Sequence, residues 1–108
     1  LLDLNHEKPA LLHGDLWSGN YFASHDQTPY IFDPAVYFGL READLAMTEM
    51  FGRLPQEFYS TYQEVFPTQP GYTERKDIYN LYHLLNHYNL FGGSYLEQAD
   101  RIVRGFLD

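Results

Sequence analysis

Glycine and proline divide the later two-thirds of this chain into segments, each with the apolar period of a helix. Pro55 suits a first helical turn, where its missing N–H satisfies no bond, and Pro67 stops the same helix near Phe66. Between them Phe58, Tyr62, Val65 and Phe66 recur at helical spacing and form one apolar face. Upstream, Glu42 to Phe51 has helical character, with Leu45, Ala46 and Met50 in successive turns and Gly52 as the C-terminal cap. Downstream, Pro67 to Gly71 connects to a longer helix from about Thr73 to Phe91. Its expected apolar positions are Ile78, Leu81, Tyr82, Leu85, Tyr88 and Phe91, and Gly92-Gly93 ends it. Ser94 and Glu97 have capping-box spacing before a last helix whose expected face is Leu96, Ala99, Ile102, Val103 and Phe106. The first third lacks this period. Leu11-Leu12 leads into a polar loop, Tyr21 to Ala23 reads as a strand, His25 to Pro29 as a turn, and Tyr30-Ile31-Phe32 as the returning strand. The expected fold is mostly α with a small β-hairpin.

At 108 residues the chain is one domain or part of one, and its 44% apolar and 18% aromatic content is ample for a buried core. Fifteen acidic against seven basic side chains give a net charge of -8, which repels a phosphate backbone, so no nucleic-acid partner is expected. No apolar run approaches the roughly 18 residues of a membrane span, so no membrane partner is expected either. With no cysteine there is neither a disulfide framework nor a thiolate zinc site. The chain opens on Leu1-Leu2-Asp3-Leu4 without Met and is expected to be a fragment or a processed polypeptide.

The polar loop carries the chemistry. It reads His13-Gly14-Asp15-Leu16-Trp17-Ser18-Gly19-Asn20, and the hairpin that follows returns Asp33 toward Asn20. Phosphoryl transfer needs an acidic side chain to orient the acceptor hydroxyl and take its proton, which makes Asp15 the candidate base. Magnesium takes hard oxygen ligands and keeps several waters, so one amide oxygen and one carboxylate, Asn20 and Asp33, suffice beside nucleotide phosphates. Gly14 and Gly19 let the loop turn tightly around these groups. The competing reading is structural, since Asp, Asn and Gly are common turn residues; the His-Gly lead-in and the hairpin-spaced Asp33 favour the site. No Gly-rich phosphate loop or nucleotide-anchoring Lys precedes the motif.

These residues resemble the fructosamine kinase (ketosamine 3-kinase) family, within the aminoglycoside-phosphotransferase-like, protein-kinase-like fold. The resemblance rests on Leu11 to Asn20, on Phe32-Asp33-Pro34-Ala35, on Leu45-Ala46 and Met50-Phe51-Gly52, and on Asn86 to Gly92. It implies that residues 1–108 are part of the C-terminal lobe of an α+β kinase fold, with the N-terminal nucleotide lobe missing. It further implies a cytoplasmic enzyme that uses ATP and Mg2+ to phosphorylate O3 of a protein- or amine-linked ketosamine. The 3-phosphate then sheds its amine, a deglycation repair step. Two substrate contacts are carried over: Trp17, whose ring face suits the C–H surface of a sugar, and His87. For each the plain alternative is packing.

His83 and His87 lie four residues apart on one helix face, a zinc-compatible spacing, but no glutamate accompanies them and His83 is read as a helix-face residue. His13 is expected to orient the loop by hydrogen bonding. Asp44 has two readings, a helix N-terminal charge or a brace for loop amides, and the resemblance favours the brace. The remaining acidic helical positions are read as a solvated face. Three other functions stand beside the ketosamine kinase: an aminoglycoside or choline kinase-like enzyme, a non-catalytic module, and a magnesium-dependent hydrolase.

Overall fold

The computed structural model describes residues 7–107, in which two small antiparallel β-pairs precede four α-helices. β1 (Ala10–Leu12) pairs with β4 (Tyr37–Gly39), Leu11 lying opposite Phe38. Between them the chain makes a 3-10 turn at Ser18–Asn20 and the expected hairpin, in which β2 (Tyr21–Ala23) pairs with β3 (Pro29–Ile31). Phe22 stacks on Tyr30 across this hairpin at 5.2 Å, a cross-strand contact that fixes register in strands too short to hold it alone. The β1–β4 pair is an addition to the sequence reading. Each of its strands has three residues, too few to show a period, and only the return of the chain after Asp33 brings them together.

The helices are α1 (Glu42–Met47), α2 (Gln56–Val65), α3 (Tyr72–Phe91) and α4 (Tyr95–Leu107). Pro55 precedes α2, and Gly71 (φ 90°) and Gly92 (φ 68°) bound α3, so the punctuation works as read. α1 is shorter than the expected Glu42–Phe51. After Met47 the bonds tighten to one-turn type, Glu49 N–H to Ala46 O (3.1 Å) and Met50 N–H to Met47 O (3.2 Å), and Gly52 then departs at φ 139°. No helix among the described residues is long and apolar enough to cross a membrane.

α3 packs against both α1 and α4, and the core lies there: Leu45, Ala46, Met47, Leu84 and Ala99, with Leu12 and Tyr59 at its margins. Two expectations are corrected. The side of α3 that faces α1 carries Arg75, Asn80 and Leu84, whereas Tyr82, Leu85, Tyr88 and Phe91, expected in the core, are exposed. Phe58, Val65 and Phe66 of α2 and Leu96, Val103 and Phe106 of α4 are exposed as well. For α3 the reason is a polar contact that sets which face meets α1, and here the second correction falls. Glu42, assigned to a solvated face, is only 1% exposed. Arg75 grips it with two bonds, Nε to Oε2 and Nη2 to Oε1, both 2.8 Å, and Tyr79 donates its hydroxyl to Oε2 (3.0 Å). Burial alone would raise the Glu42 carboxyl; the Arg75 and Tyr79 bonds outweigh it and hold it below the ordinary value. The remaining Arg75 donors cap the Gln69 and Pro70 carbonyls (2.9 and 2.7 Å), and Asn80 Nδ2 donates to Ala46 O (2.9 Å). Together they pin α1, and with it Asp44, onto α3.

Candidate active site

The motif loop leaves β1 at His13 and turns at Gly14, where φ is 89° and a Cβ would sit 1.9 Å from the Ala35 carbonyl oxygen. Only glycine fits both the conformation and the space. Asp44, in the first turn of α1, accepts from two loop amides, His13 N–H at Oδ2 (2.7 Å) and Gly14 N–H at Oδ1 (3.0 Å). A carboxylate taking two backbone N–H groups fixes the loop's entry with charge-assisted bonds. His13 is held at both ring nitrogens. Nδ1 accepts from Asp15 N–H (3.1 Å), which leaves the proton on Nε2, and Nε2–H donates to Phe32 O (2.7 Å). One imidazole thus ties the residue before Asp33 to the backbone of Asp15.

Asp15 and Asn20 are in direct contact. The Asn20 amide donates to Asp15 O (2.9 Å) and Asp15 Oδ2 (3.1 Å), and Asn20 is buried. With its NH2 so committed, Asn20 Oδ1 is the atom left for another partner. Phe32 N–H donates to Asn20 O (3.1 Å) and Ala35 N–H to His13 O (2.8 Å), so the loop holds the chain on both sides of Asp33. Asp33 is exposed with φ 49°, a left-handed conformation rare outside glycine and tolerated best by Asp and Asn. Among the described residues no three His, Cys, Asp or Glu side chains converge on a point that could hold a metal. Asn20 and Asp33 each carry a hard oxygen donor of the kind Mg2+ takes.

Trp17 and His87 come into one aromatic cluster without touching each other directly. Phe51, just beyond α1, lies between them, 6.2 Å from the Trp17 ring and 5.2 Å from His87. Tyr95, at the start of α4, approaches His87 at 5.3 Å and Phe51 at 6.2 Å. Trp17 is 38% exposed, and its indole closes over Gly19, where a Cβ would meet the ring at 2.4 Å. His87 Nδ1 donates to His83 O (2.7 Å), which leaves the acceptor lone pair on Nε2. Neither Phe51 nor Tyr95 stands out in the sequence as a site residue. The one local signal is that Phe51 precedes the Gly52 stop, where a side chain is set off the helix axis.

His83 lines a cavity of about 520 Å³ behind Gly14, together with Ala35, Tyr37, Ile78, Tyr79 and Tyr82. Burial holds its imidazole below the ordinary histidine value; His87 adds to this and Asp15 opposes it.

A mostly helical chain with a paired acid and amide on a loop, a second acid on the hairpin after it, and a helix braced to that loop has the features of a kinase-like fold. A solved structure from Haemophilus somnus 129PT described as a "Putative fructosamine-3-kinase" superposes with a TM-score of 0.85 at 37% identity, over 99% of this chain and 37% of that one. The fructosamine kinase family model matches residues 1–108, and the chain belongs to that family. A Vibrio parahaemolyticus protein named "Probable ketoamine kinase" is 64% identical over 96 residues, 89% of this chain and 33% of the relative. A chloroplastic protein-ribulosamine 3-kinase of Oryza sativa subsp. indica is 52% identical over 100 residues, 93% of this chain and 29% of the relative. The chain therefore spans about a third of the length of the curated relatives it matches.

Proposed function

We propose that this chain supplies the catalytic lobe of a kinase that transfers the γ-phosphate of ATP to O3 of ketosamines such as fructosamine and ribulosamine, with the nucleotide-gripping lobe lying outside residues 1–108. The observation that carries this reading is the Asp15–Asn20 contact, with Asp33 held beside it by the Phe32–Asn20 and His13–Phe32 bonds. Asp15 orients the acceptor hydroxyl and receives its proton as the O3–P bond forms and the bond to the departing ADP breaks. Asn20 Oδ1 and the Asp33 carboxylate would hold Mg2+, which would supply positive charge to offset the charge that develops during transfer. Trp17 offers its exposed face to the sugar and His87 Nε2 accepts from one of its hydroxyls. Membership of the fructosamine kinase family and the relatives named for ketoamine and ribulosamine substrates support this over an aminoglycoside or choline kinase.

The test is Asp15→Ala in the complete polypeptide. Turnover on a ketosamine should fall about 10²- to 10⁴-fold with ATP affinity nearly unchanged. Turnover like that of the unaltered enzyme would remove Asp15 from the mechanism.

A further inference from the structure

We propose that Phe51 is a positioning residue that sets Trp17 and His87 at a fixed separation and so determines the width of the ketosamine site; this rests on the reading of Trp17 and His87 as substrate contacts. Three segments, the motif loop, α3 and α4, meet at this one ring. Its centroid lies 6.2 Å from Trp17 of the motif loop, 5.2 Å from His87 of α3 and 6.2 Å from Tyr95 of α4. Trp17 and Tyr95 both meet it at nearly right angles, 84° and 81°, the edge-to-face arrangement that the charge distribution of aromatic rings favours.

Both rings have further contacts, and His87 also packs against Phe91 (5.9 Å) and Tyr95 (5.3 Å). Trp17 rests on Gly19, and His87 is tethered through Nδ1 to the His83 carbonyl. Phe51 packs against both rings, and Trp17 stays 38% exposed. Its direction is set by the backbone. α1 ends at Met47, the chain tightens through Met50, and Gly52 at φ 139° turns it away, a conformation that L side chains rarely adopt. Phe51 offers no polar atom to a substrate, so it acts through its neighbours. A smaller residue would open a gap beside the indole and remove one of the three rings packed against His87.

Trp17 is the sole tryptophan of these 108 residues, which gives a direct readout. In the complete polypeptide, the fluorescence belonging to Trp17 is isolated by difference from Trp17→Phe. Phe51→Leu should raise its quenching by acrylamide and raise KM for a ribulosamine about 3- to 10-fold, the equivalent of one lost aromatic pair, while kcat and KM for ATP stay near their original values. Phe51→Tyr, which keeps the ring, should restore both quenching and KM. Unchanged quenching in Phe51→Leu overturns the positioning role, as does a loss shared equally by kcat and both KM values, which reports general destabilisation. Raised quenching with an unchanged ribulosamine KM overturns the substrate role of Trp17 and, with it, the claim about site width.

Discussion

In the strand-and-loop part of the molecule, residues 10–39, the buried side chains are Leu12 and Asn20. The helical part buries Leu45, Ala46, Met47, Tyr59, Leu84 and Ala99 together with the Glu42–Arg75 pair. The candidate chemistry sits almost entirely in the first part, whose strands are three residues long and whose apolar side chains, among them Leu11, Phe22, Ile31 and Phe38, are largely exposed. A loop with so little core of its own cannot hold a geometry by hydrophobic burial. It takes that geometry from the helical part, through the two bonds from Asp44 and through a chain of internal hydrogen bonds running from His13 to Phe32 and from Asn20 to Asp15. One part supplies stability and the other chemistry, and Asp44 is the seam between them.

Substitutions on the two sides of that seam should have separable effects. The largest change in stability should come from Arg75→Met, which leaves Glu42 buried without its partner. Breaking such a pair costs about 3–5 kcal/mol, read as a lower midpoint in thermal or denaturant unfolding. A loss below ~1 kcal/mol would show that the pair is not what seats α1 on α3. Asp44→Ala should be smaller in stability but should reach both parts. Losing charge-assisted bonds to the His13 and Gly14 amides costs about 1.5–3 kcal/mol, and turnover of the complete enzyme should fall as the loop loosens. Full turnover in Asp44→Ala would break the claim that the helical part holds the site.

The smallest effect concerns pH. His83 titrates below its ordinary value in the folded state because it is buried. As pH falls from neutral through the ordinary histidine range near ~6.5, the unfolded chain takes up a proton that the folded chain resists, so stability declines. The Glu42 contribution is lost only at lower pH, below the ordinary carboxylate range, because its carboxyl is held down. His83→Gln should flatten the decline between pH 7 and pH 5.5 in urea-midpoint measurements. An unchanged slope would place the titration elsewhere.

The features legible in the sequence are those that local rules govern. Pro55, Pro67, Gly71 and Gly92 mark helix ends because backbone geometry forces them to, and the Tyr21–Ile31 hairpin follows from two short β-rich runs around a polar turn. The Asp15–Asn20 contact and the return of Phe32 to Asn20 follow from loop length and that hairpin. What stayed hidden depends on tertiary partners. The pairing of Tyr37–Gly39 with Ala10–Leu12 joins segments more than twenty residues apart in sequence. Glu42 has the composition of a surface acid, and only the arrival of Arg75 from α3 makes its burial tolerable. The apolar period of α3 is real, yet the Arg75, Asn80 and Leu84 side meets α1, which periodicity cannot reveal because it does not say which neighbour arrives. Phe51 and Tyr95 are isolated aromatics in the sequence and become a cluster only when α1, α3 and α4 converge.

The central claim, that this lobe serves ketosamine O3 phosphorylation, is tested most directly by a substrate comparison. The complete polypeptide is incubated with ATP and Mg2+ and, in separate reactions, with a fructosamine- or ribulosamine-modified amine, choline and an aminoglycoside, and the products are resolved by mass spectrometry. The account predicts one added phosphate on the sugar-amine, followed by loss of the amine, with choline and the aminoglycoside left unmodified. Ready phosphorylation of choline or the aminoglycoside, with the ketosamines untouched, would contradict it.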